Sequence, residues 1–188
     1  MALALPVLFA VLLGLVLGGS LSGLGDLRLR GTWLLFAPVG LQIAAFPFGF
    51  LPWSTGRTTG TALWLASYAL LTAGALLNLR VRGVPLLAAG MGANLLAILA
   101  NGGTMPVLPS AMRAAGRTEA VHANSTAASD PSFACLVDRF AAPDWIPLAN
   151  VFSVGDVAIA AGAIVVVLAA MGVELPRRAA LRRRSAEL

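Results

Sequence analysis

Three polar residues, Asn150, Ser153 and Asp156, recur at a spacing of three inside an apolar stretch. On a helix each such step turns about 300°, so the trio would cover about 120° of one face. Counted from Trp145, Asp156 would lie about 15 Å along the axis at a rise of about 1.5 Å per residue. A carboxylate at the centre of a bilayer costs about 2.5–3.5 kcal/mol on insertion scales, so it must face protein, carry a proton or meet donors. Two roles meet that demand. Asp156 clamps its helix to a neighbouring helix terminus, with Gly155 allowing close approach, or it lines a binding site. A second motif, Asn101-Gly102-Gly103-Thr104, ends a helix naturally, because Asn and Gly accept left-handed backbone angles. Met105-Pro106-Val107-Leu108-Pro109 then opposes helix and favours extended backbone. The segment is either a plain helix stop or a semi-extended piece folded back into the membrane face. In the second case its backbone groups could bind a ligand, provided protein or water shields them. Asn101, Thr104, Asn150, Ser153 and Asp156 together make up the candidate ligand-binding site, around one outward-facing pocket.

Catalytic machinery is harder to assemble. An aspartyl mechanism needs two carboxylates sharing a proton, and Asp156 alone lies in an apolar run, so Asp138 or Asp144 would have to dip in from a loop. The single histidine, His122, sits in an Ala-, Ser-, Thr- and Asn-rich segment, and the single cysteine, Cys135, cannot form an internal disulfide. No metal site and no cofactor is expected. Gln42, Asn78 and Asn94 read as interhelical hydrogen-bonding residues, worth about 0.6 kcal/mol each. Trp33, Trp53, Trp64 and Trp145 read as anchors at the membrane interface.

The elements that must hold these residues follow from composition. Of 188 residues, 59% are apolar and 11% charged, and the mean hydropathy is +0.86. Soluble domains carry about 45–50% and 25%, so this chain cannot cover a water-exposed surface, and disorder is excluded by the same comparison. The fold class expected is all-α, a polytopic transmembrane helix bundle in one membrane domain. Five segments, about 2–21, 33–51, 61–79, 84–100 and 146–173, offer the apolar length that a bilayer requires. Helices are demanded because lipid cannot satisfy exposed backbone groups, and the runs are too continuous for barrel strands. The first segment is expected to be retained rather than cleaved, since no basic residue precedes it and Arg28 and Arg30 follow it.

All 13 basic residues are arginine, and an outside N-terminus places nine of them inside and four outside. This gives N-out, C-in by the positive-inside rule. Short connections should make the first four spans adjacent and antiparallel. The long outer loop, 101–145, has a middle, 118–132, that reads as flexible, and the basic tail 174–188 favours an anionic cytoplasmic leaflet. The charges lie between apolar blocks rather than in one patch, so membrane lipids are the expected partners and nucleic acid is not. No internal repeat is visible, and an odd span number argues against an inverted-repeat transporter.

Asn101-Gly-Gly-Thr-Met-Pro-Val and Asn150-Val-Phe-Ser-Val-Gly-Asp156 resemble the motifs of an uncharacterised family of small bacterial multi-span membrane proteins, a domain of unknown function. The resemblance covers most of the chain. It implies a multi-pass protein of the inner (plasma) membrane and no particular chemistry. Three functions compete. The first is a non-catalytic bundle that binds or moves a small molecule or lipid at the outer leaflet. The second is an accessory subunit of a larger membrane complex, or a homo-oligomer, packed through Gly14, Gly18, Gly74, Gly90, Gly92 and Gly162. The third is an intramembrane enzyme using Asp156.

Overall fold

The computed structural model describes residues 4–45, 55–116, 124–142 and 151–173, and within them the chain is mostly helical. Helix α1 (Ala4–Val16) is apolar throughout, and Gly18 beyond it, with a φ of 79°, turns the chain into the short α2 (Ser22–Gly25). Helix α3 (Trp33–Ala45) is followed by α4 (Arg57–Leu77) and by α5 (Val84–Ala100). Gly83 precedes α5 with a φ of 90°, and Pro85 sits in its first turn, where a missing N–H costs nothing. Past the long loop and its short helix α6 (Pro109–Ala114), the last long helix among the described residues is α7 (Val154–Ala170).

These helices form a row in which α3 packs on α4, α4 on α5, α5 on α7 and α7 on α1. The expected neighbour relation fails for the first helix, which joins the end of the row on α7 instead of α3. The reason lies in Gly14 and the turn after α1. A Cβ on Gly14 would come 2.7 Å from Met171 Cε, and Ser20 N donates to Met171 O at 2.9 Å. The tightest contact is between α5 and α7, where Gly83 meets Gly162 and Gly90 meets Gly155, one heptad apart on each helix. A Cβ would lie 2.8 Å from Ile159 N at Gly90 and 2.6 Å from Asn94 Cγ at Gly155. Backbone therefore touches backbone along this seam. Gly74 packs on Leu34, whereas Gly18 and Gly92 meet nothing within 4 Å and hold no helix pair in this chain together.

One described helical stretch, Thr58–Leu77, is long and apolar enough to cross a bilayer, and only 28% of it is buried, unlike the core helix of a closed globule. Ala4–Val16, Phe36–Ala45, Val84–Ala100 and Val154–Ala170 are shorter apolar helices. The segment read as 146–173 is corrected at its start. Residues 143–150 lie outside the described residues, Val151–Phe152 forms a strand, and the helix begins only at Val154.

The long loop after α5 is built rather than loose. Strand β1 (Met105–Val107) pairs in parallel with β2 (Ser125–Ala127), and on its other edge Val107 bridges Asp138. Strand β3 (Phe140–Ala141) pairs antiparallel with β4 (Val151–Phe152), stacking Phe140 on Phe152 at 5.6 Å. The expectation of a flexible middle is therefore corrected for its second half, since β2 falls within it. Met105 and Val137 press down from this loop on Trp64, Ala97 and Ile98. Trp64 is thus a core residue rather than an interface anchor, because the loop covers it. Trp33 is 61% exposed, and Trp53 and Trp145 lie outside the described residues.

Candidate functional site

Where the loop meets the helices, Ser153 is the N-cap of α7. Its extended backbone (φ −102°, ψ 169°) lets Oγ accept from Asp156 N at 3.0 Å, while Ser153 N donates to Asp156 Oδ2 at 2.9 Å. This is a reciprocal capping box, in which two orphan donors of the helix start are satisfied at once. The spacing of three between Ser153 and Asp156 is therefore a cap signature and not one helical face. The reading of Asp156 deep along a helix axis is corrected with it, because the residue sits in the first turn. There its charge complements the positive end of the helix dipole.

Asn94 of α5 completes the network. Its Nδ2 donates to Asp156 Oδ1 at 2.8 Å, and Ser153 Oγ lies 2.8 Å from Asn94 Oδ1 and 3.0 Å from Asp156 Oδ2. A hydroxyl has one proton, so one of those two oxygens receives it. Gly155 makes the approach possible, since any side chain there would collide with the Asn94 amide. Asn94 and Ser153 are both buried.

Two further groups converge here without partners. The Tyr68 hydroxyl is buried beside Asn94, meets it without hydrogen-bond geometry, and lies within electrostatic reach of Asp156 and Asp138. Asp138 is 5% exposed, and its Oδ1 has no hydrogen-bond partner. Its backbone is fixed at the edge of β1, donating from N to Pro106 O and accepting at O from Leu108 N, both at 3.0 Å. The loop thereby delivers a carboxyl to the helix ends. Burial first, and then the charge of Asp156, push the Asp138 carboxyl up to about 8.

The residues singled out from sequence divide. Ser153 and Asp156 come together, with Asn94 between α5 and α7. Asn101 instead staples the loop, donating from Nδ2 to Ala97 O at 2.7 Å and Ser132 O at 3.0 Å and accepting from Ser132 N at 2.9 Å. Thr104 Oγ1 lies 3.1 Å from Thr126 Oγ1 on the exposed side of the β1–β2 pair. Asn150 and His122 lie outside the described residues. Gln42 donates to Ser67 across α3 and α4 at 3.2 Å as an interhelical residue should, whereas Asn78 ties the Arg30 backbone to the end of α4. Cys135 is exposed and free, and among the described residues no group of three His, Cys, Asp or Glu could hold a metal ion. Sequence reasoning underrated Asn94 and left Asp138 as a loop residue. Its placement between Val137 and Arg139 carries no signal of a strand edge.

These features define a class: a row of apolar helices roofed at one end by a strand-bearing loop that sets a buried carboxyl against a helix N-cap. Residues 26–168 match the Family of unknown function (DUF5317), and the chain belongs to that family. No curated protein and no solved structure matches it.

Proposed function

We propose that the chain is a multi-pass protein of a bacterial inner (plasma) membrane, with five spans, N-out and C-in. In this reading it binds or moves a small molecule at the outer face without catalysing a reaction on it. The observation that carries the binding reading is the Asp138 carboxyl, closed from solvent with Oδ1 unpartnered and within electrostatic range of Asp156 and Tyr68. An unsatisfied buried group costs about 1–3 kcal/mol, and a native fold that keeps one calls for an explanation. Asp138, Asp156 and Tyr68 offer oxygens with no cation among them, so the fitting ligand is a donor, and a protonated amine above all. Ser153 and Asn94 would hold Asp156 in place, while Asn101 and Thr104 would shape the roof, with Asn150 at the start of the same motif. The membrane reading is supported by apolar side chains turned outward, such as Phe9, Leu12 and Val16 on α1 and Phe36 on α3.

Topology is tested by reporter fusions at Arg30, Arg57, Arg82, Ser129 and Leu188, expected to alternate in, out, in, out, in. A cytoplasmic signal at Ser129 overturns it. Binding is tested by titrating ethanolamine into the full chain in nanodiscs. Asp138 must release its proton to hold the ammonium, so affinity should rise at least tenfold from pH 6 to pH 9, through the Asp138 value of about 8. Asp138→Asn should abolish that rise. Equal binding by parent and variant at both pH values would sink the reading.

A further inference from the structure

At the other end of α5, away from the capping network, the segment before α3 and the α4–α5 turn enclose a concave site of about 390 Å³. That is within the range of small-molecule sites, about 300–1,000 Å³. Arg28 and Arg30 line it from one side and Arg80 from the other, with Asn78 between them and Leu76 and Leu77 as the apolar wall. No acidic residue lines it, and among the described residues none of the three guanidinium groups is paired with a carboxylate.

The walls are fixed by Asn78, which is 8% exposed. Its Oδ1 accepts from Arg30 N at 2.8 Å, and its Nδ2 donates to Arg30 O at 2.9 Å and to Gly74 O at 2.7 Å. This three-bond staple holds the backbone of the Arg28–Arg30 segment against the end of α4, so the three arginines border one space. The last carbonyls of α4 are the one feature that disfavours an anion there. Two of them are already engaged, Gly74 O by Asn78 Nδ2 and Ala75 O by Asn78 N. Three full positive charges outweigh the fractional charge that remains.

We propose that this site binds a phosphate group. Guanidinium forks match phosphate oxygens in pairs, and a basic pocket between membrane helices at the cytoplasmic face is where anionic headgroups are held. The bound phosphate belongs either to an anionic lipid headgroup or to a free phosphate, two sources with one chemistry. The proposal rests on the arginine-lined cavity and, for a lipid source, on the N-out, C-in membrane reading proposed above; it is independent of the Asp138 site.

The test uses the full chain in nanodiscs. In one arm the lipid is phosphatidylcholine with or without phosphatidylglycerol, and native mass spectrometry reads the phosphatidylglycerol retained. In the other arm inorganic phosphate is titrated into phosphatidylcholine nanodiscs by calorimetry. Retention or binding in either arm should fall at least tenfold in the triple variant Arg28→Gln, Arg30→Gln, Arg80→Gln. Arg80→Gln alone leaves the Asn78–Arg30 staple intact and should lower it severalfold with no change in melting temperature. Arg82→Gln, two residues on and outside the cavity lining, should leave it unchanged. Selective phosphatidylglycerol retention assigns the site to a lipid, and saturable inorganic phosphate binding assigns it to a free anion. No preference in either arm, or an equal loss in Arg82→Gln, overturns the proposal.

Discussion

Asp156→Leu is expected to cost about 3–5 kcal/mol of folding stability, measured by equilibrium unfolding in detergent micelles with the buried Trp64 as fluorescence reporter. The leucine removes the acceptor of Ser153 N and of Asn94 Nδ2 together. Asn94 is 6% exposed, so its amide cannot turn to water instead. Leaving a buried donor unpaired costs about 1–3 kcal/mol, for Asn94 Nδ2 and again for Ser153 N, while Ser153 Oγ still caps the backbone N of residue 156. Asp156→Asn keeps the size and one acceptor for Ser153 N, and its expected cost is about 1 kcal/mol. If Asp156 is only a clamp, the asparagine variant also keeps ethanolamine binding; if it takes part in the site, the fold survives and binding is lost. An unchanged unfolding midpoint for Asp156→Leu would show that the capping network does not hold α5 to α7.

Stability should fall as pH rises from about 4 to about 8 and level off above that. The Asp138 carboxyl stands at about 8 in the fold, raised by burial and then by Asp156. An unfolded aspartate releases its proton near 4. Between those limits the folded chain holds a proton that the unfolded chain has lost. The stability this confers is therefore complete at low pH and lost on the way up. A window of about four pH units at about 1.4 kcal/mol each gives a loss on the order of 5 kcal/mol. The groups that face Asp138 are Asp156 on α7 and Tyr68 on α4. Asp138→Asn should flatten the profile, with the parent and variant curves converging below pH 4. A slope of the same size in the variant would mean that another group carries it.

Much of this architecture was legible in the chain. Composition implies apolar helices, and Gly83, Pro85 and Asn101 bracket α5 at the boundaries expected from the sequence. Ser153 and Asp156 were singled out together, but as one helical face; the same local spacing also fits a cap, and that alternative was missed. Asn94 entered as one interhelical polar residue among three, since nothing along the chain says which neighbour a side chain will meet. The register of α5 on α7 decides that, through Gly90 and Gly155. Asp138 was named beside Asp144 as a loop carboxylate that would have to dip in, but nothing singled it out, because its burial depends on a bridge to Val107 formed across a long loop. Non-local pairing also placed Trp64 under the loop rather than at an interface.

The packing of α1 on α7 sets a timetable for synthesis. Gly14 leaves the ribosome well before Leu168 and Met171, the residues that cover it. At about 5–20 residues per second, α1 waits on the order of ten seconds with that face uncovered. If the chain is inserted in a membrane as proposed above, lipid or an insertion factor would occupy the groove until α7 arrives. Truncated chains that stop before Val154 would keep the vacancy for good and become natural substrates for quality-control proteases.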